Sequence, residues 1–233
     1  MRSATNSKSA LRVALLVPSS NTVMENDLHA ALPKNQFTVH TDRMYLVETT
    51  REAEQRMIEQ FAPSAAGDLG TLEPDVLVFG CTSAGSLFGL DYDAKVCREL
   101  GERAGWPAGP APRPPLKSRR LAVITPYNED LTRSVAAAVS AGREIVCAHG
   151  MGITNNVALA DPAPADIVAF ARGKLAGQKF DGLFVSCTNF RAYEARAALA
   201  EALGVRVVTS NSAVIEAIQR FRNNGLQRPA QAA

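Results

Sequence analysis

Short hydrophobic runs of strand length alternate with helix-forming segments along the whole chain, and this alternation restricts the fold more than any other feature. Seven runs predict strands, at residues 11–17, 36–41, 75–80, 120–125, 144–149, 181–186 and 205–209. The segments between them predict helices at about 22–32, 50–69, 91–103, 129–141, 164–176, 191–203 and 212–221. Strands that alternate with helices in this way form βαβ units with right-handed crossovers and parallel sheets. The sequence therefore predicts an α/β fold.

Two of the predicted strands end in a similar turn, once in each half of the chain. The first is Phe79–Gly85 (FGCTSAG) and the second is Val185–Phe190 (VSCTNF). Each turn places a cysteine and then a threonine directly after a hydrophobic strand. This pairing predicts a duplicated unit in which one thiol from each copy, Cys81 and Cys187, faces a shared cleft.

The duplication is incomplete in the first half. The second half continues from Cys187 through a helix, a strand and a further helix, whereas residues 105–119 (GWPAGPAPRPPLKSR) contain five prolines instead. A segment with so many prolines cannot form a helix and would make a poor central strand. We therefore predict one lobe over 11–104 with part of the C-terminal helix, a Pro-rich connection over 105–119 and a second lobe over 120–223. The termini, 1–10 and 226–233, are predicted to be flexible.

Composition excludes several classes of function. The net charge of +2 gives no electrostatic case for binding nucleic acid. No hydrophobic run approaches the roughly 20 residues that cross a bilayer, and the polar N-terminus lacks a signal-peptide core, so a cytoplasmic protein is expected. The three histidines are scattered and no metal-binding motif is present, so no metal site is predicted.

The predicted turns place their polar side chains at one edge of the fold. In parallel α/β sheets, ligands bind beyond the carboxyl ends of the strands. Pro18–Thr22, Cys81–Ser83, Pro126–Asn128, Cys187–Asn189 and Thr209–Ser212 all follow a predicted strand directly. Alternative interpretations stay open for single residues: Asn21 is a good helix cap, and Glu52, Glu54 and Arg56 have the pattern of an exposed helix face.

The stretch Pro18–Glu25 (PSSNTVME) and the two Cys-Thr turns resemble the aspartate/glutamate racemase superfamily, and within it the maleate cis-trans isomerase and arylmalonate decarboxylase branch. The resemblance covers about residues 11–223, except 105–119. It implies two pseudo-symmetric lobes, each with a parallel four-stranded sheet flanked by helices. The first lobe of this chain lacks one strand-helix unit of that pattern. The resemblance also implies a site between the lobes, no cofactor, and a homodimer or higher homo-oligomer.

The same resemblance assigns roles to individual residues. Cys81 matches the nucleophile of the isomerases and one thiol acid/base of the racemases, and Cys187 matches the other thiol. The decarboxylases have glycine at the first position, so Cys81 disfavours decarboxylation. The remaining candidates for binding a small carboxylate substrate are Ser20, Asn21, Thr82, Ser83, Tyr127, Asn156, Thr188 and Asn189.

These residue types suit chemistry at a carbon beside a carboxylate. A thiol serves as acid or base once its surroundings adjust its pKa, and it also adds to a double bond. Hydroxyl and amide donors stabilise the negative charge of an enediolate. The leading hypothesis is a maleate cis-trans isomerase-like enzyme. The alternatives are an amino-acid racemase of the aspartate, glutamate or hydantoin type, an arylmalonate-type decarboxylase, and a degenerate protein that only binds a small acid.

Overall fold

The computed structural model describes residues 10–105 and 118–223, and these residues form seven strands in two sheets. The strands are Leu11–Pro18 (β1), Phe37–Met44 (β2), Val76–Phe79 (β3), Arg120–Thr125 (β4), Glu144–Gly150 (β5), Gly182–Val185 (β6) and Arg206–Thr209 (β7). The α-helices are Met24–Ala31 (α1), Arg51–Arg56 (α2), Ala62–Gly70 (α3), Thr82–Phe88 (α4), Leu90–Arg103 (α5), Glu129–Val139 (α6), Pro164–Lys174 (α7), Ala192–Leu203 (α8) and Ser210–Asn223 (α9).

The two sheets have the same strand order as far as the shorter one extends. The first sheet is ordered β2-β1-β3 and the second β5-β4-β6-β7, and every pair is parallel. The predicted α/β fold with two parallel sheets is confirmed. Among the described residues the first sheet has no counterpart of β7, and most of the Pro-rich segment 105–119 lies outside them.

The strand at the centre of each sheet is the most deeply buried. In β1 only Arg12 is partly exposed, and in β4 every residue after Arg120 is buried. Strands covered on both faces become continuous hydrophobic runs, which is why the sequence identified these two so clearly. The last helix, α9, follows β7 but packs Ile215 and Ile218 against the side chains of β1 in the first sheet.

The predicted helix over 50–69 is interrupted. Between α2 and α3 the chain forms a π-helical turn over Met57–Phe61. Pro63 explains the interruption, because it has no N–H to donate to the carbonyl of residue 59 and its ring clashes with a regular turn there. A second difference is the short helix α4, which starts directly after Cys81 and is separated from α5 by Gly89, whose φ is +91°.

Several sequence predictions concern residues that the structure does not describe. Most of the Pro-rich connection 105–119 lies outside the described residues, and so do the predicted flexible tails 1–10 and 226–233 except for Ala10. Within the two described ranges, no helix combines the length and the hydrophobicity needed to cross a membrane.

Candidate active site

The candidate site forms where turns from both sheets meet. The turn after β1 carries Ser20 and Asn21, and the turn after β3 carries Cys81. From the second sheet, the turn after β4 carries Tyr127 and the turn after β6 carries Cys187. Because all the strands of a parallel sheet point the same way, their carboxyl ends share one edge, and hydrogen bonds join the edges of the two sheets.

Gly80 sets the position of Cys81. A Cβ at residue 80 would lie 2.8 Å from the carbonyl oxygen of Leu16 and 2.8 Å from Met24 Sδ. Only glycine therefore lets β3 end so close to β1 and α1. The backbone of Gly80 also donates to the Leu16 carbonyl and accepts from Thr188, so the residue before the first cysteine is held from both sheets.

The Cys81 thiol is buried among polar groups of the first half of the chain. Its Sγ lies 3.4 Å from Ser83 Oγ and 3.8 Å from Glu54 Oε2. Burial raises the pKa of Cys81 well above its ordinary value, and the neighbouring Glu54 carboxyl raises that pKa further. Hydrogen bonding with the Ser83 hydroxyl and with the backbone N–H of Ala84 opposes the shift. The thiol is therefore protonated at neutral pH.

The position of Glu54 contradicts the sequence interpretation. Glu52 and Arg56 lie near it on α2 with the expected polar pattern, but Glu54 is completely buried. Burial raises the pKa of this carboxyl to about 7, against the opposing hydrogen bonds from Ser83 and Cys81. No signal in the sequence distinguishes Glu54 from Glu52, because only the packing of α2 against α4 turns this position towards Cys81.

Cys187 occupies a strained backbone position in the second half of the chain. Its φ is +102°, a region that side chains with a Cβ rarely adopt. Its Sγ accepts a hydrogen bond of 3.2 Å from the backbone N–H of Asn189 and another from the hydroxyl of Tyr127. Burial nevertheless raises the pKa of Cys187 to about 12. Unfavourable backbone angles of this kind are common at functional sites, where the surrounding structure holds the residue in place.

Tyr127 connects the two thiols electrostatically. Its side chain is buried, and burial raises the pKa of its hydroxyl well above the ordinary value. Negative charge on Cys187, Cys81 or Glu54 raises this pKa further, so all four groups lie within electrostatic range of one another. Tyr127 therefore remains a hydrogen-bond donor throughout the physiological pH range.

Hydrogen bonds between the two halves of the chain connect most of the remaining candidates. Asn21 Nδ2 donates to Thr188 Oγ1 at 3.1 Å, and Thr188 Oγ1 donates to the Gly80 carbonyl at 3.0 Å. The backbone N–H of Thr22 donates to Asn189 Oδ1 at 2.9 Å. These bonds fix the turn after β1 against the turn after β6.

A second set of bonds brings in Asn156. Asn189 Nδ2 donates to the Asn156 carbonyl at 2.8 Å, and Asn156 Nδ2 donates to Ser20 Oγ. The hydroxyl of Thr49 donates to Asn156 Oδ1 at 3.3 Å. Asn156 precedes the short 3-10 helix Val157–Ala160, and it is this loop that carries the residue to the site.

The two interpretations of Asn21 are compatible in the structure. Asn21 Oδ1 accepts from the N–H groups of Val23 and Met24 at 3.0 Å each, which is the capping role expected at the start of α1. Its Nδ2 has two hydrogens, and Thr188 uses one of them. The same side chain can therefore cap the helix and donate to a ligand.

Ser210 is a further residue of this cluster that was not among the candidates. It accepts from Thr82 Oγ1 at 3.2 Å and from the backbone N–H of Cys187 at 3.2 Å. The sequence placed Thr209–Ser212 at the same edge of the fold, but the link between the two Cys-Thr turns appears only in three dimensions. All ten candidate residues lie in this cluster, and all are buried except Ser20 and Thr82, which are partly exposed.

The local chemistry of this cluster favours proton transfer at a bound small molecule. It holds two protonated thiols, one beside a carboxyl and the other beside a phenol, with amide and hydroxyl donors around them. A thiol next to a carboxyl can lose its proton without releasing it to water. Fixed neutral donors can hold a carboxylate or the enediolate formed from it.

Comparison with known proteins agrees with this arrangement. The family model described as arylmalonate decarboxylase matches residues 13–232. The maleate isomerase of Geobacillus stearothermophilus is 24% identical over 231 residues, covering 91% of this chain and 92% of the relative. The maleate isomerase of Pseudomonas putida is 27% identical over 221 residues, covering 85% and 86%.

The fold is shared with solved structures. One is a cysteine-to-serine variant of the Nocardia farcinica maleate cis-trans isomerase with a covalently bound succinylcysteine intermediate. It superposes with a TM-score of 0.81 at 21% identity, over 92% of this chain and 94% of that one. With the family model matching nearly the whole sequence, the chain belongs to the arylmalonate decarboxylase family, in the branch that includes the maleate isomerases.

Proposed function

We propose that this protein is a cofactor-independent isomerase of a small dicarboxylic acid, with maleate as the leading substrate. The observation that carries the proposal is the pair of buried thiols, Cys81 and Cys187, on equivalent turns of two sheets, with a Tyr127 hydroxyl that donates to Cys187 and lies within electrostatic range of Cys81. The relatives named maleate isomerase support the choice of substrate.

In the proposed reaction Cys81 is the nucleophile. Its sulfur bonds to one olefinic carbon of maleate, and the π-electron pair moves to the other carbon and its carboxylate. The former double bond then rotates as a single bond. The electron pair returns to re-form the double bond, the carbon–sulfur bond breaks, and the trans isomer leaves. Cys187 assists as acid/base at the second carbon.

The polar residues of the cluster hold the substrate in this proposal. Asn21, Thr82 and Ser83 bind one carboxylate, and Tyr127 donates to the enediolate that forms when sulfur adds. The remaining partners, Ser20, Asn156, Thr188 and Asn189, complete the binding surface. These donors are neutral, so they stabilise developing charge without first forming ion pairs with the free substrate.

The succinylcysteine seen in the Nocardia farcinica enzyme supports a covalent route. That variant lacks one cysteine and still carries the succinyl group on a cysteine. An addition by Cys81 to maleate would leave the same kind of thioether here. A pure proton exchange, as in a racemase, would leave no covalent adduct.

One experiment separates the candidate reactions. Purified protein is incubated in deuterated water with maleate, with D- and L-aspartate and glutamate, and with an arylmalonate, and each mixture is followed by NMR. We expect conversion of maleate alone. Hydrogen exchange at the amino acids would instead indicate a racemase, and loss of carbon dioxide from the arylmalonate would indicate a decarboxylase.

A variant tests the nucleophile. Cys81→Ala should abolish conversion of maleate, whereas Cys147→Ala, at a cysteine on β5, should retain it. Full activity of Cys81→Ala would contradict the proposed mechanism. No turnover of any substrate by the wild type would favour a protein that only binds a small acid.

The homodimer or larger homo-oligomer implied by the family is also part of the proposal. Three hydrophobic side chains expose more than half of their surface: Tyr45, Val47 and Val157. They are sequence neighbours of Leu46 and Asn156, and both of these residues contact Ser20. Exposed hydrophobic side chains mark an interaction surface when they form a contiguous patch. Light scattering on the purified protein would give the number of copies.

A further inference from the structure

Glu54 is a buried carboxyl that the reaction described above does not use. Its side chain is fully buried, and Oε1 has no hydrogen-bond partner in the described parts of the chain. Burying a carboxyl without full hydrogen bonding is costly, and protein cores rarely retain one without a role. The position therefore calls for an explanation beyond packing.

The other oxygen of this carboxyl is directed at the proposed nucleophile. Oε2 lies 3.8 Å from Cys81 Sγ, in a geometry in which the thiol donates and the carboxylate accepts. Ser83 contacts both groups, at 3.4 Å from the sulfur and through a hydrogen bond to the carboxyl. A carboxyl oxygen that can accept the thiol proton therefore lies beside the sulfur before any substrate arrives.

We propose that Glu54 is a further catalytic residue, which accepts the proton of the Cys81 thiol during the attack and returns it afterwards. This inference rests on the proposed function. As the carbon–sulfur bond forms, the S–H bond breaks and an O–H bond forms on Glu54, while the π-electron pair moves into the substrate. When the product leaves, the carbon–sulfur bond breaks and the sulfur takes the proton back.

The charges around Cys81 favour a proton acceptor that belongs to the site itself. The titratable groups that face Glu54 are Cys81, on the turn after β3, and Cys187 and Tyr127 from the second sheet. Both thiols and the phenol hold their protons at neutral pH, so neither Cys187 nor Tyr127 is free to accept the proton of Cys81. Transfer from Cys81 to Glu54 keeps the net charge of the site constant while a dicarboxylate is bound, and neutralises the carboxyl nearest to the reacting sulfur.

The carboxyl titrates in a range that suits this role. Its pKa is about 7, because burial opposes its ionised form. An acceptor is most effective when its pKa lies near the working pH. Below pH 7 Glu54 is already protonated and cannot accept, so kcat/KM of the wild type should rise with pH to about 7 and then level off.

The test compares the pH dependence of kcat/KM for maleate in the wild type, Glu54→Gln and Glu54→Asp. We expect Glu54→Gln to be about 10²-fold slower at pH 7, since a positioned base contributes about 10²–10⁴-fold. Its profile should lack the inflection near pH 7 and keep rising until the thiol itself ionises. Glu54→Asp keeps a carboxyl and should recover part of the rate and the inflection.

Two controls distinguish catalysis from folding. Glu52→Gln changes an exposed residue of the same helix and should leave the profile unchanged. Thermal unfolding of Glu54→Gln should show a folded protein, because glutamine has nearly the same shape and can still contact Ser83. A folded Glu54→Gln with the wild-type profile would overturn the inference. A variant faster than the wild type at pH 7 would also overturn it, because the carboxyl would then only oppose ionisation of the thiol.

A second readout needs no substrate and separates this inference from the proposed function. The rate at which iodoacetamide alkylates Cys81 is followed against pH by mass spectrometry of the peptide that contains it. The wild type should show an inflection near pH 7 that Glu54→Gln lacks. If maleate is not converted but this difference appears, the proposed function fails and the proton transfer between Cys81 and Glu54 stands. Identical alkylation profiles would contradict the transfer.

Discussion

Asn21 Nδ2 donates to Thr188 Oγ1 at 3.1 Å, and this bond joins the turn after the central strand of one sheet to the second Cys-Thr turn of the other. The Thr188 hydroxyl in turn donates to the carbonyl of Gly80, the residue directly before Cys81. One hydroxyl therefore holds three turns together. The two thiols owe their common surroundings to contacts of this kind between residues far apart in the sequence.

Removing that hydroxyl should destabilise the fold. Thr188→Val keeps the shape of the side chain but leaves the Asn21 amide and the Gly80 carbonyl without a partner in a buried place. We expect the free energy of unfolding to fall by about 1–3 kcal/mol, the usual cost of an unsatisfied buried polar group. Urea denaturation measures this. The exposed Thr71→Val serves as the control and should change it by less than about 0.5 kcal/mol; equal effects of the two variants would contradict the structural role.

The backbone strain at Cys187 predicts that glycine and alanine at this position differ in their effect on the free energy of unfolding. At a φ of +102°, alanine retains the strain and glycine removes it. We expect Cys187→Gly to unfold with a free energy about 1 kcal/mol higher than Cys187→Ala. Both should lose activity if Cys187 is the proposed acid/base. As the control, Ala198→Gly in the exposed face of α8 should lower the free energy of unfolding by about 1 kcal/mol. A less stable Cys187→Gly would show that this position is not strained.

Gly80 and Gly67 form a second matched pair. A Cβ at residue 80 would meet the Leu16 carbonyl at 2.8 Å, whereas one at residue 67, in α3, has open space around it. Gly80→Ala should therefore destabilise the protein by about 1–3 kcal/mol and displace Cys81. Gly67→Ala should stabilise it by about 0.5–1 kcal/mol, because alanine favours a helix. Urea unfolding curves of both variants measure these changes. A Gly80→Ala variant with the stability of the wild type would contradict the close packing of β3 against β1.

Asp27 makes stability depend on pH. It lies buried on α1, and burial raises its pKa from 3.8 to about 6. The hydrogen bond from Asn211 and the charge of Arg191 oppose this shift, whereas the charge of Glu194 adds to it. The folded state therefore holds a proton that the unfolded state has lost between these two pH values. This contribution to stability is present below pH 3.8 and is lost as pH rises to about 6.

Asp27→Asn cannot ionise, so it should not show that loss. Relative to the wild type, its free energy of unfolding should increase by roughly 2–3 kcal/mol between about pH 4 and pH 8, at about 1.36 kcal/mol per pKa unit. Urea denaturation of Asp27→Asn and of the wild type at a series of pH values across this range measures the difference. Parallel curves for Asp27→Asn and the wild type would show that Asp27 does not titrate as its burial requires.

The strands were the most predictable part of the fold. β1 and β4 are hydrophobic on both faces because helices cover both sides of a parallel sheet, and such runs are visible without any structure. The helix boundaries were less exact. The π-helical turn at Met57–Phe61 and the short helix α4 depend on how the chain accommodates Pro63 and Gly89, and hydrophobic periodicity does not report on that.

The amino-acid sequence alone predicted the alternation of strands and helices, the departure of the first half from the duplicated pattern, and the turns that carry Cys81 and Cys187. It did so because strand-length hydrophobic runs and the residues that end them are local features. The burial of Glu54 beside Cys81 is visible only in three dimensions, because the sequence pattern of this helix is that of an exposed face. That outcome depends on the packing of α2 against α4, and burial is a property of the neighbours that surround a side chain rather than of the residues next to it in the sequence.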